Sequence, residues 1–107
     1  MSLKEEIKKT LSLVFWMLKN AIASILDIMK RFLRKLINLN IWGGRHTEID
    51  NLKKALPKHL RGSKEAKEAI KELFDIEFIT IKVSTGERHV SLNSHKQREI
   101  YNFLERG

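Results

Sequence analysis

From Ser2 to Asn40 the chain holds neither glycine nor proline, the two residues that break helices. Leu11, Leu18, Ile25, Phe32 and Leu39 recur every seven residues, and Phe15, Ile22, Met29 and Leu36 run beside them four residues on. This is a heptad pattern with the first set at d and the second at a. Val14, Ala21, Leu26, Ile28 and Leu33 widen the stripe onto the flanking positions. So wide a stripe suits a helical bundle, or packing on a domain, better than a lone two-stranded coil. A continuous helix of this kind is roughly 55 Å long, well beyond the diameter of a domain built from the rest of the chain. The helix is therefore expected either to pair with another copy or to bend near Lys19–Asn20 into a hairpin. Pairing would give a homodimer or higher oligomer through Leu11, Phe15, Leu18, Ile22, Ile25, Met29, Phe32 and Leu36.

Two membrane readings compete with pairing. Leu11–Met29 is apolar enough to suggest a span, but Lys19, Asn20 and Asp27 lie inside it. A charge near the centre of a span costs about 2.5–3.5 kcal/mol. Alternatively the helix lies flat on a membrane through Lys30, Arg31, Arg34 and Lys35. A signal peptide with "TLSLVFWML" as its core is disfavoured by Glu5 and Glu6, and by a heptad that runs through the supposed cleavage site.

Beyond Ile41, "WGGR" breaks the helical pattern. Thr47 is the expected N-cap of a helix with Glu48 and Asp50 in its first turn and Ile49, Leu52 and Leu56 on its apolar face. Pro57 stops it, and "PKHLRG" is the turn. Ser63 caps a second helix with Ala66, Ala69, Ile70, Leu73 and Phe74 inward. "IEFITIKV" alternates and is rich in β-branched residues, which predicts a strand. "STGE" turns it into "RHVSLN", with Val90 and Leu92 inward, to make a hairpin. Ser94 is the expected cap of a last helix that buries Ile100, Phe103 and Leu104.

Helix, helix, turn, helix, hairpin, helix is the order of parts in a winged-helix domain. The expected class is mostly α with a small β-hairpin (α+β): a winged helix-turn-helix preceded by a long N-terminal amphipathic helix and followed by a C-terminal helix. Residues 1–40 form the helical element and 41–107 the domain, with the C-terminal half of the long helix available as the domain's own first helix. The segments "NLKKALPKHL" (Asn51 to Leu60), "EAIKELF", "FITIK" and "HVSLN" (His89 to Asn93) carry a resemblance. From His46 to Asn93 the chain resembles small archaeal winged-helix proteins of the transcription-regulator type. Related sequences usually place glycine between the recognition helix and the first wing strand; here Asp75-Ile76-Glu77 stands there.

The net charge of +8 favours polyanionic partners, and double-stranded DNA is the expected one. In a winged helix the second helix of the pair enters the major groove. Its outward residues would be Lys64, Glu65, Lys67, Glu68, Lys71 and Glu72, with no Arg, Asn or Gln for bidentate base reading. A stronger basic surface gathers at the turn, from Lys53, Lys54, Lys58, His59, Arg61 and Lys64, with Lys82, Arg88 and His89 added by the wing. These residues would hold phosphates rather than choose a sequence. The opposing reading is a protein-interaction or assembly module that binds no DNA. Enzyme motifs are lacking: the histidines have no metal spacing, "WGGR" lacks the Gly-Lys-Ser/Thr of a phosphate loop, and there is no cysteine nucleophile. Neither cofactor nor small-molecule substrate is expected. The absence of cysteine fits a cytoplasmic setting.

Overall fold

The computed structural model describes residues 2–106. Ser2 opens helix α1 (Leu3–Asn38), its hydroxyl accepting a hydrogen bond from the Glu5 amide at 3.3 Å. With nothing to interrupt it, α1 runs straight through Lys19–Asn20, so the hairpin alternative falls away. Its 36 residues reach about 54 Å and set the 61 Å long axis of the molecule. The helix closes on Asn40, not on the glycines. Asn40 has φ 56°, its amide donates to the Ile37 carbonyl, and the Ile41 amide reaches back to Leu36 at 2.9 Å. A left-handed residue is the usual way to satisfy a helix's last carbonyls, and asparagine tolerates that backbone better than most side chains.

The apolar stripe of α1 divides between two environments. Ile28, Met29, Phe32, Leu33 and Leu36 are buried and Ile25 is half-buried, while Leu11, Phe15, Leu18 and Ile22 are 57–67% exposed. Met29, Phe32 and Leu36, expected at an oligomer interface, instead lie in the chain's own core. The physical reason is that α3 and β3 offer this stretch of the stripe an intramolecular apolar surface.

Trp42 and its neighbours are stitched to the end of the sheet. Leu92 donates to Ile41, Gly43 (φ 58°) donates to Leu92, and the buried Ser91 hydroxyl donates to the Gly43 carbonyl at 2.9 Å. Strand β1 (Thr47–Glu48) follows, then the short helix α2 (Ile49–Lys53). Thr47 is thus a strand residue, not the N-cap. It pairs with Val90, and its hydroxyl accepts from the Asn51 side chain at 2.8 Å. The helix also ends earlier than Leu56, in tight turns before Pro57, though Ile49, Leu52 and Leu56 are buried as expected. A 3-10 turn (Lys58–Leu60) leads to α3 (Lys64–Asp75), where Ser63 Oγ accepts from the Ala66 amide at 3.1 Å.

Strands β2 (Ile79–Ser84) and β3 (Glu87–Leu92) form the hairpin, and β1 joins the far edge of β3 to give the antiparallel order β1-β3-β2. The first hairpin strand starts at Ile79, later than its alternation suggests, because α3 unwinds through a corner first. There the Phe78 amide bonds to Leu73 at 2.9 Å, the Glu77 amide bonds to Phe74 at 3.0 Å, and Glu77 adopts φ 65°. Glu77 occupies a left-handed position, the backbone region that glycine enters most readily. Asn93 clamps this corner, its amide group donating to the Glu77 carbonyl at 2.9 Å and its backbone N–H to Phe78. Asn93 also accepts from the His95 amide, so it, and not Ser94, caps the 3-10 turn (Ser94–Lys96) that leads into α4 (Gln97–Glu105). Ile100 is buried, and Phe103 meets Phe78 edge-on at 5.8 Å.

Phe32→Ala should lower the unfolding free energy by about 3–5 kcal/mol, while Phe15→Ala should change it by less than about 0.5 kcal/mol, as read by urea denaturation. Glu77→Gly should stabilise the fold by about 0.5–1 kcal/mol in the same assay, because relief of the left-handed backbone outweighs glycine's extra unfolded-state freedom.

Candidate functional site

The second long helix, α3, sorts its charges by helical phase. Ala66, Ala69, Ile70 and Leu73 are buried. Lys64, Lys67, Lys71 and Phe74 fall along one flank and are exposed; Glu65, Glu68 and Glu72 fall along the other and are half-buried. At 100° per residue the two flanks are centred about 110° apart, so the glutamates lie beside the lysine row rather than in it, although Glu68 and Glu72 still act on Lys71 and Asp75 falls within the row. Phe74, expected inward, is 49% exposed because it lies in phase with the lysines.

The hairpin sorts its residues by period two. Ile79, Ile81 and Val83 share one face with their partners Leu92, Val90 and Arg88. Lys82 and His89, paired with each other, share the opposite face. The lysine flank of α3 and the Arg88 face of the hairpin meet across a groove of about 400 Å³. Its lining is Ile49, Lys53, Lys67, Ile70, Lys71, Phe74, Ile81, Val83 and Arg88: an apolar floor with cations on its walls. Lys71 Nζ bonds Asp75 Oδ2 at 2.8 Å. That hydrogen bond and the Asp75 charge raise the Lys71 ammonium above the usual lysine value of 10.5, so it stays protonated across the neutral range. One end of the groove is less cationic, since Lys53 and Arg88 also border a hollow shared with Glu48, Asp50 and Glu87.

Of the basic residues read from the sequence, Lys53, Lys67, Lys71 and Arg88 thus come together, with Lys64 on the same flank of α3. The others lie elsewhere. Lys54 lines a separate hollow with His46, Glu48, Asp50 and His89. Lys58 and His59 are exposed on the 3-10 turn. Arg61 is half-buried, its Nε donating to the Leu56 carbonyl at 2.9 Å, so it braces the turn. Lys82 lies across the sheet from the groove.

No family model, curated protein or solved structure matches this chain. The groove's chemistry is therefore read from its own residues. Sequence reading missed Phe74 and Val83 as exposed apolar floor, and Asp75 as the partner of Lys71. The i,i+4 spacing of Lys71 and Asp75 and the phase of Phe74 with the lysines were visible signals; the exposure of Val83 was not, since it depends on how the hairpin stands beside α3. His46 and His89 approach to 6.2 Å between ring centroids, yet among the described residues no three potential ligands converge on a metal position.

Asp75→Asn removes the two largest influences that hold the Lys71 ammonium up, leaving the weaker ones of Glu68 and Glu72. The Lys71 titration midpoint, followed by NMR at the side-chain carbon beside the nitrogen, should fall toward 10.5 while the other lysines keep their values.

Proposed function

We propose that residues 28–106 form a winged helix that holds duplex nucleic acid by its phosphates, with little choice of sequence. The observation that carries the reading is the groove in which Lys53, Lys67, Lys71 and Arg88 converge while the α3 glutamates turn to the other flank. The element order and the β1-β3-β2 sheet support the winged-helix assignment, with α3 as the helix presented to a groove and the β2–β3 hairpin as the wing. The exposed side chains of α3 are lysines, a phenylalanine and an aspartate, flanked by half-buried glutamates, and none of these reads guanine or adenine bidentately except lysine at guanine. Phosphate contacts position a duplex without selecting its sequence, so the domain would place itself on DNA rather than search for one site. A role in transcription regulation rests on the resemblance of residues 46–93.

One observation favours a second reading. The half-exposed Phe74 and the exposed Val83 form a floor that phosphates do not need. A protein segment with apolar anchors and acidic flanks would use both the floor and the lysines.

Fluorescence anisotropy of the full-length chain with a mixed-sequence duplex between about 50 and 200 mM salt tests these readings. Four phosphate contacts should give a slope of log affinity against log salt near −3.6. The double variant Lys67→Glu, Arg88→Glu should weaken binding and make the slope shallower by about 2, whereas Lys82→Glu should leave both nearly unchanged. Absence of binding at the lowest salt would overturn the duplex reading and leave the protein-segment reading, for which Phe74→Ala is the diagnostic variant.

A further inference from the structure

The part of α1 beyond the domain belongs to no core; Leu11, Ser12, Val14, Phe15 and Leu18 line only a shallow hollow on the helix's own surface. Residues 3–24 are exposed throughout, and between Lys9 and Asp27 the only charge is Lys19. The run Leu13–Leu18 is six consecutive apolar residues, enough to wrap the full circumference of the helix, and all six are exposed.

Three geometric facts bear on what covers this segment. A second helix seated on the stripe of Phe15 and Leu18 would cover the a and d positions and their flanks. Leu13, Trp16 and Met17 lie at f, b and c and would remain in water. Lipid covers every side at once. Next, the body of the molecule lies on the same side of α1 as the stripe, since Met29, Phe32 and Leu36 continue that stripe and are buried in the body. A membrane lying along the stripe would collide with the body, so α1 can enter a bilayer only end-on. Finally, residues 10–26 make about 25 Å of helix, at the short end of what crosses a hydrocarbon core. By length and composition α1 also passes as a membrane-crossing helix.

The polar groups of the segment suit that setting. Asn20 Nδ2 donates to the Trp16 carbonyl at 3.1 Å and Thr10 Oγ1 to the Glu6 carbonyl at 3.0 Å, so each has a donor paired within the helix. Lys19 is the costly residue: it sits near the segment's centre, where a charge costs about 2.5–3.5 kcal/mol, and its ammonium lies 5.9 Å from the Phe15 ring. Basic residues flank the segment at Lys8 and Lys9 and again at Lys30, Arg31, Arg34 and Lys35, matching anionic headgroups at both surfaces.

We propose that residues 10–26 cross a lipid bilayer end-on, so that the domain rests on an anionic membrane surface through the basic turn of α1 that follows Asp27. This inference is independent of the duplex reading, and the experiment below contains no nucleic acid.

The full-length chain is synthesised in the presence of phosphatidylcholine vesicles, with or without phosphatidylglycerol, and floated on a density gradient. It should float with both, resist extraction by alkaline carbonate, and sink when Phe15→Asp and Leu18→Asp are combined. Arg31→Glu with Arg34→Glu should reduce recovery on the anionic vesicles alone. The chain lacks cysteine, so single Ser2→Cys and Ser84→Cys variants report sidedness with a membrane-impermeant maleimide. Ser84→Cys should label on intact vesicles and Ser2→Cys only after detergent. Release by carbonate, or labelling of both positions from outside, would overturn the crossing in favour of surface attachment. A chain that stays out of the lipid as a dimer or larger assembly by light scattering would show that copies of itself cover the stripe.

Discussion

The packing of the last third of α1 into the body is the constraint on which everything else rests. Phe32, Leu33 and Leu36 are completely buried and share one cluster with Leu73 of α3 and Val90 and Leu92 of β3. Without this turn and a half of helix, the two-residue β1 and the five-residue α2 would have too little apolar surface to offset their ordering entropy. The same packing fixes the direction in which the rest of α1 leaves the body. It therefore also determines which partners can reach the exposed half.

Two left-handed corners then place the parts. Asn40 turns the chain off α1 so that Ile41 and Gly43 can bond to the end of β3, and Glu77 turns it off α3 so that Ile79 enters the sheet with its side chain inward. Asn93 holds the second corner from the far end of the hairpin. The groove exists because this corner sets the hairpin beside the lysine flank of α3. Its cations come from α2, α3 and β3, segments separated by as much as 35 positions in the chain between Lys53 and Arg88.

Much of this was legible in the residues. The Ser63 cap, the inward Ala66, Ala69, Ile70 and Leu73 of α3, and the burial of Ile100 follow from local capping and periodicity. Three local assignments failed where a distant partner won. Thr47 became a strand residue because Val90 was there to pair with it, Phe74 stayed outside because the core lay elsewhere, and Asn93 replaced Ser94 as a cap because it also had Glu77 to hold. The site was legible as a set of basic residues but not as a place. Period two together with the hairpin register puts Lys82 and Arg88 on opposite faces, which face meets α3 is a tertiary matter, and Arg61 looked like a phosphate ligand until its contact with Leu56 was visible.

The sequence by itself determined the order of the helices and the hairpin and the amphipathic stripe along α1, because glycine and proline placement and apolar period act locally; that α1 runs unbent through Lys19–Asn20 was decided by the structure. It also determined the cationic balance of the chain. Tertiary structure decided how that one stripe is divided. Its lower part became core and its upper part stayed uncovered, because the body formed by residues 41–106 is wide enough to cover only the end of the helix that adjoins it.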